Sequence, residues 1–503
     1  MSANYFSTTH HLKLWLILFF VFGNIMPGQW GMGRLFANTI GVQGIIFDQN
    51  GTGPLTSSGI ISLGSPTATV SDFQTSGGLP EASNGTVAAW VENGTDIYVI
   101  IFYQDGAGPL TSSGIISLGS ASSAAGNFQL TGLYPGSNIG GAAVAWVENG
   151  TDIYAITFSY SGMILTSSGI ISLGSASAPV TSFQLTGNYP KNSSTGAAVA
   201  WVQSGTDIYA ITFDQNGSGP LTSSGIISLG SASGTVTNFQ LTGIYPESSS
   251  NGAAVAWVQS GTDIYAITFD QNGSGPLTSS GIISLGSATA AATNFQLTGA
   301  YPENTNTGAA VAWVENGTTI HAITFDKNGS ASLTNSGIIP LGSASSTVTN
   351  FQLTGDYPET SSHGAALAWV ESGTVIHAIT FDKDGSLALT SSGIISLGSA
   401  SSAVTNFQLS GLIPEFSSSG VVVAWVENGK DIYAITFDKN GSGALTSSGI
   451  ISLGSAAASV ANFLLTGGAP ETSTNGAAAV WVFNVSPVSS SSNRAYLRPS
   501  NRR

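Results

Sequence analysis

A Trp-Val pair returns along this chain at near-constant intervals, with Trp90, Trp146, Trp201, Trp257, Trp313, Trp369, Trp425 and Trp481 spaced 56, 55, 56, 56, 56, 56 and 56 residues apart. Such a period means one supersecondary unit copied many times, each copy burying its apolar face only against its neighbours. The regular repeat overrides the roughly two to four ordinary domains that a length of 503 residues would suggest.

One copy shows what the unit is. Ala197–Val202 (AAVAWV) alternates small and large side chains, and SGTD then makes a tight turn. Other copies use the favoured hairpin pair there, as at Asn149-Gly150. Ile208–Asp214 (IYAITFD) is a second strand closed by QNGSGP, Gly225–Gly230 (GIISLG) a third, and Thr235–Gly243 (TVTNFQLTG) a fourth. A loop of the type Ile244–Gly252 leads onward. Four antiparallel strands per repeat describe the blade of a β-propeller. The chain ends support this. Val42–Asp48 (VQGIIFD) matches the second segment of the unit with no first segment before it, and Ala478–Val482 (AAVWV) is a first segment with nothing after it. A ring must close, and one blade completed from both chain ends would close it. The sequence thus predicts an all-β fold: an eight-bladed β-propeller of four-stranded antiparallel blades, closed by pairing N-terminal strands with the C-terminal strand. Residues 42–80 would supply three strands of the closing blade and 478–482 the fourth. The small residues of Gly-Ala-Ala-Val-Ala are expected on the crowded strand nearest the axis, with Trp, Tyr and Phe filling the wedge between blades. A parallel β-helix has shorter rungs and would gain nothing from displacing a strand to the far end.

Charge narrows the partners. Charged residues make up 7% of the chain, against about 25% in ordinary globular proteins. All 26 Asp and Glu fall between residues 38 and 485, with five Lys (191, 327, 383, 430, 439) and no Arg. So acidic a body repels phosphate backbones, which argues against nucleic acid and leaves cations, basic proteins and neutral glycans. The chain has no cysteine, so disulfides, zinc–thiolate sites and thiol catalysis are excluded. Residues 1–37 read as a signal peptide: His10, His11 and Lys13 precede an apolar run, Leu14–Phe22, with cleavage expected after Gly23 or Ala37. Nine apolar residues are too few for a spanning helix, which needs about 20. No stable membrane span is expected after cleavage, and the protein is expected to be secreted, periplasmic or at the cell surface. Residues 38–485 are the propeller, and 486–503, with four Arg and no acid, read as a flexible basic tail. A monomer is expected.

The candidate chemistry is a ring of acids. Asp ends the second strand at 48, 214, 270, 326, 382 and 438. The loops after the fourth strand carry Glu81, Glu247, Glu303, Glu359, Glu415 and Glu471. Propeller topology places both sets on one face, as a rim for cations or a basic partner; most such rims are simply solvated. Asp214-x-Asn216-Gly217 is like a fragment of a calcium loop, but it offers two side chains where calcium takes about six to eight oxygens, and capping of the turn explains it as well. No cofactor is expected, calcium being the one metal the pattern suggests. Thr212-Phe213-Asp214 with Gly217 resembles the Asp-box (Ser-x-Asp-x-Gly) of sialidase-type propellers, with the Gly one residue further on and the final aromatic absent. Sialidase chemistry would need arginines for the substrate carboxylate, and the repeats have none. The ring of tryptophans resembles the sugar-stacking platforms of propeller lectins, but mid-strand placement favours packing between blades. The Tyr of the second strand becomes His321 and His377 in adjacent copies, which suggests packing before metal binding.

Near-identical units do not supply the asymmetric constellation that catalysis needs; AAVAWVQSGTDIYAITFDQNGSGPLTSSGIISLGSA occurs from Ala197 and again from Ala253. The expectation is therefore a non-catalytic binding or adhesion module for a glycan or a basic protein. The alternative is a structural envelope or surface protein without a soluble ligand. A glycosidase or lyase would need two blade-specific acids facing each other, about 5–10 Å apart.

Overall fold

Alternation decides how each blade forms. In the second strand of blade two, Ile139–Glu148, Val144 and Trp146 point into the seam with blade one while Ala143 and Ala145 point into the seam with blade three. Trp201 of blade three sits against those alanines, Trp146 of blade two against Ala89 of blade one, and so on round to Trp90 against Val480. Every seam is thus a large face on a small face. The eight tryptophans of the repeats are completely buried, and the cost of truncating one such side chain to alanine is about 3–5 kcal/mol.

In this computed structural model the described residues are 39–485, apart from 50–54, 80–84, 105–109, 137–138, 162–163, 192–193, 216–220, 248–249, 272–276, 304–305, 327–332, 359–362, 383–388, 415–418, 440–444 and 471–474. Within them lie eight antiparallel sheets and no helix. Blade one runs from an inner strand, Val70–Leu79, through Gly85–Glu92 and Asp96–Gln104 to an outer strand broken into Leu110–Ser112 and Ile116–Ser120. Both outer pieces pair with the third strand. Between them Gly114 turns with φ 71° and Ser113 N–H donates to Ile101 O at 2.8 Å. The short Leu-Thr-Ser piece was not legible as a strand in the sequence.

The innermost strand is not the alanine-rich one. The strands that meet their counterparts around the axis carry the Phe-Gln-Leu-Thr-Gly segment, such as Gly126–Gly136 and Val180–Lys191. The alanine-rich strand is second from the axis, paired on both sides. Its small side chains are explained by the incoming tryptophan of the next blade, not by crowding at the axis. Glycine provides the close approach there instead. A Cβ on Gly132 would lie 2.2 Å from Gly77 O, and one on Gly187 would lie 2.5 Å from Gly132 O. The outer circumference closes too: a Cβ on Gly119 would press on Ile170 of the next blade at 3.4 Å, and one on Gly454 on Ile60 at 3.3 Å.

Closure joins the two ends of the repeat region. Thr39–Gln49 pairs antiparallel with Asn475–Val485 in a continuous register from Thr39↔Val485 to Phe47↔Ala477. The division of strands differs from the expected three plus one. The C-terminal end gives two, Val460–Pro470 innermost and Asn475–Val485 second, and the N-terminal end gives the third and the broken outer strand. Residues 70–79 belong to the next blade, because the repeat starts structurally at the inner strand. The proposed signal segment at 1–37 and the basic tail at 486–503 lie outside the described residues.

Candidate functional site

In the turn after the alanine-rich strand, Asn149 and Gly150 are both left-handed (φ 54° and 77°), as an Asn-Gly hairpin requires. The Asn-x-Thr match at Asn149-Gly150-Thr151 therefore sits in a tight turn. On the same face of the ring the chain crosses from one blade to the next through segments such as Ala121–Ala125. That segment is held from both sides. Ala121 N–H donates to Thr95 O and Ala125 N–H to Gly94 O in blade one, at 2.9 and 2.8 Å. From blade two, Glu148 takes the N–H groups of Ser122 and Ser123 (3.3 and 3.1 Å), their hydroxyls, and the indole N–H of Trp146 at 3.0 Å.

These buried glutamates, absent from the sequence-based candidates, are the most unusual ionisable groups described. Glu92, Glu148, Glu315, Glu371 and Glu427 are each no more than 2% exposed, and each accepts the N–H of the tryptophan two residues earlier. Burial pushes the Glu148 carboxyl up, but the Ser122 hydroxyl, the Trp146 indole and two backbone N–H groups outweigh it, and the net shift is downward. Glu315 and Glu371 are lowered in the same way, with His321 and His377 contributing. Blades three and four carry Gln203 and Gln259 instead; their amides donate to Ser177 and Ser233, and the Trp201 and Trp257 indoles are left without a partner. In the closing blade Phe483 takes the position, and Trp481 donates to Gln43 at 3.2 Å. The Phe483 ring lies where a Cβ on Gly41 would be, 2.3 Å away. The sequence signal was Trp-Val-Glu itself, an acid of fixed spacing in a charge-poor chain. It went unread because an acid beside a turn is ordinarily solvated.

His321 and His377 stack on Trp313 and Trp369 with ring centroids 5.5 and 5.6 Å apart, as Tyr154 stacks on Trp146 at 5.8 Å. Their Nε2 atoms lie 3.6 Å from the adjacent glutamates. They are packing residues at the tyrosine position. Among the described residues no cluster of His, Cys, Asp or Glu could hold a metal ion.

The expected acidic rim lies on the opposite face. Asp214 ends a third strand opposite Thr222, whose hydroxyl donates to Asp214 Oδ1. Asp270 with Thr278 and Asp326 with Thr334 repeat the arrangement. Asp48, Asp382 and Asp438 occupy the same register opposite Thr56, Thr390 and Thr446. Glu247 and Glu303 end inner strands, opposite Ser250 and Asn306. Glu81, Glu359, Glu415 and Glu471 lie outside the described residues, as do Asn216 and Gly217 of the calcium-like fragment. Antiparallel topology puts the ends of inner and third strands on one face, so both sets share it. Asp214, Asp270 and Asp326 each already spend an oxygen on a threonine.

A second ring runs round the axis. Gln74, Gln129, Gln184, Gln240, Gln296, Gln352 and Gln408 occupy the middle of seven inner strands, and Leu464 the eighth. Below them the Ser or Thr hydroxyl donates to the next glycine carbonyl, as Thr131 to Gly132 O at 3.0 Å, and hydroxyls also accept across seams, as Ser76 does from Gly132 N–H at 2.7 Å.

The described residues form an eight-bladed β-propeller in which five blades carry a buried, hydrogen-bonded glutamate. No family model matches it, and no curated protein matches it. Among solved structures it is similar to the BP39L lectin from Burkholderia pseudomallei, at 12% identity and TM-score 0.49, over 76% of this chain and 99% of that one. It is also similar to a fucose-specific lectin from Aleuria aurantia, at 11% identity and TM-score 0.38, over 78% and 99%. The WD40 domain of SCAP from fission yeast gives 9% identity and TM-score 0.44, over 82% and 95%. At these values the likenesses say nothing about ligand.

Proposed function

We propose that the protein is a non-catalytic binding module that acts outside the cell and engages a glycan or a basic protein through repeated, near-equivalent surfaces. The observation that supports this is how the buried carboxylates are used. Five are enclosed within the seams and hydrogen-bonded by indole, hydroxyl and backbone donors. Such groups hold blades together and lie enclosed in the seams, away from a substrate. The rest of the surface is repeated blade by blade: acids at the ends of the third strands on one face, and uncharged amides and hydroxyls elsewhere. Repeated weak sites on a rigid ring gain strength from simultaneous engagement, not from one exceptional contact.

The test is a glycan array probed with the full-length protein, with and without calcium, and a parallel binding series against a basic protein such as histone at low and high salt. Saturable binding to any glycan supports the glycan reading. Binding to the basic protein that disappears at high salt supports the acidic-rim reading. Silence in both leaves a structural surface protein.

A further inference from the structure

We propose that Asn316 is a site of spontaneous covalent modification: it loses its side-chain amide through a succinimide formed with Gly317, and the resulting isoaspartate loosens the seam between blades five and six. The chemistry belongs to the scaffold and is independent of any ligand.

Three turns that follow the alanine-rich strand share the sequence Glu-Asn-Gly-Thr, in blades one, two and five. In each the asparagine is exposed and left-handed: Asn93, Asn149 and Asn316 have φ 54°, 54° and 53°, and the glycines after them 78°, 77° and 74°. A glycine has no side chain to shield its nitrogen from the asparagine carbonyl carbon, so such pairs are chemically labile. The difference lies two residues beyond the glycine. Asp96 and Asp152 accept the amide N–H of Asn93 and Asn149 at 3.3 and 3.2 Å, and Asp431 holds Asn428 in the same way in blade seven. Blade five has Thr319 there. The Asn316 side chain makes no hydrogen bond among the described residues.

The reaction needs only water and hydroxide. Hydroxide takes the Gly317 N–H proton, the nitrogen bonds to Cγ of Asn316, and the Cγ–Nδ2 bond breaks with release of ammonia. Water then adds to either carbonyl of the five-membered ring and opens it to aspartate or to isoaspartate. Negative charge builds first on the nitrogen and then on the amide oxygen. A carboxylate about 4 Å away slows that about fivefold even in water. A donated amide N–H also resists the rotation that brings Cγ to the nitrogen. Asn93 and Asn149 carry both restraints, and Asn316 carries neither. The Gly317 N–H has no acceptor among the described residues.

Isoaspartate adds one backbone carbon ahead of Gly317. That displaces the two carbonyls that anchor the crossing segment: Gly317 O accepts from Val348 N–H at 2.8 Å, and Thr318 O from Ala344 N–H at 2.9 Å. Between those anchors Ser345 is bound by Glu371 of blade six, through its N–H at 3.1 Å and its hydroxyl at 2.6 Å. The turn and the seam therefore share one set of hydrogen bonds.

The experiment ages the full-length protein in mildly alkaline buffer and follows each turn peptide by mass spectrometry, with hydrogen exchange on the aged sample. Asn316 should convert about fivefold faster than Asn93 or Asn149. Thr319→Asp should bring it down to their rate, and Asp96→Thr should raise Asn93 to that of Asn316. His321 in place of tyrosine is the other local difference, and Thr319→Asp leaves it untouched. In urea the three rates should converge. Protein with isoaspartate at 316 should show faster amide exchange at Ala344 and Val348. Asn316→Ser, which places there the residue found at 204, 260 and 372, should age without that change. Equal rates at the three asparagines in the folded protein, or no response to either variant, would overturn the site. A difference that persists in urea would overturn its structural cause, and unchanged exchange at Ala344 and Val348 would overturn the effect on the seam.

Discussion

Glu148 shows how much one side chain carries at a seam. Its carboxylate joins the tryptophan of its own blade to the crossing segment that arrives from blade one. Replacing Glu148 with Ala would strand buried donors on both sides, and the expected loss is about 2–4 kcal/mol, read from urea denaturation. Glu148→Gln should cost less, about 1–2 kcal/mol, because blades three and four already use glutamine and tolerate an unpaired indole. The same residues tie stability to pH. Glu148, Glu315 and Glu371 have folded-state pKa values lowered from their ordinary value, despite burial, by the donors around them. A lowered folded pKa contributes stability that is present above the unfolded pKa, about 4.3 for Glu, and is lost as pH falls through the folded value. Exposed Asp96, Asp152 and Asp431 are lowered in the same direction, first by the hydroxyls of Ser120, Ser175 and Ser455. The melting temperature should therefore be flat from pH 7 to about 5 and drop below about 4.5. A Glu148→Gln/Glu315→Gln/Glu371→Gln variant should start lower and show a shallower drop.

At the scale of the strand, the inner element is specified by its exceptions. The residue before each phenylalanine is left-handed, Asn in six copies and Asp72 or Ser182 in the others, with φ between 48° and 52°. Asn and Asp tolerate that conformation best, and it marks the register shift that turns the phenylalanine into the seam. The collar glycine is equally fixed. Gly132→Ala would push a methyl group into the Gly77 carbonyl, a backbone atom that cannot step aside, and should destabilise by about 2–3 kcal/mol. Gly126→Ala, in the same strand but with its nearest neighbour at 3.7 Å, should stay within about 0.5 kcal/mol. The difference between the two melts tests whether the inner ring is as tight as the contacts imply.

For the whole molecule, what matters is that both circumferences close. Removing residues 460–503 would take away the two inner strands of the closing blade and leave Thr39–Gln49 with one edge unpaired. Blades one and seven would lose the partners of Trp90 and of Val422 and Ala424. The expected result is loss of a single cooperative melt and association through the open strand edge, measured by calorimetry and light scattering. A truncated protein that stays monomeric and melts cooperatively would show that ring closure contributes little. Among the described residues no helix is long and apolar enough to cross a membrane.

The sequence alone determined the repeat, the number of blades, the all-β class and the joining of the ends, because the spacing of Trp-Val and the displaced Ala478–Val482 segment are one-dimensional facts. It also placed Asp214 and its equivalents at a shared strand end, since antiparallel order follows from hairpin turns. Tertiary structure decided which strand lies innermost, because small residues serve equally well at an axis and as the hole for a neighbour's Trp201. It also decided the fate of Glu148 and the glutamines. An acid two residues after a tryptophan becomes a buried staple only when another blade delivers Ser122 to it. Gln129, opposite Ala145, lies on the face of its strand that meets blade three only because that blade's inner strand packs beside it.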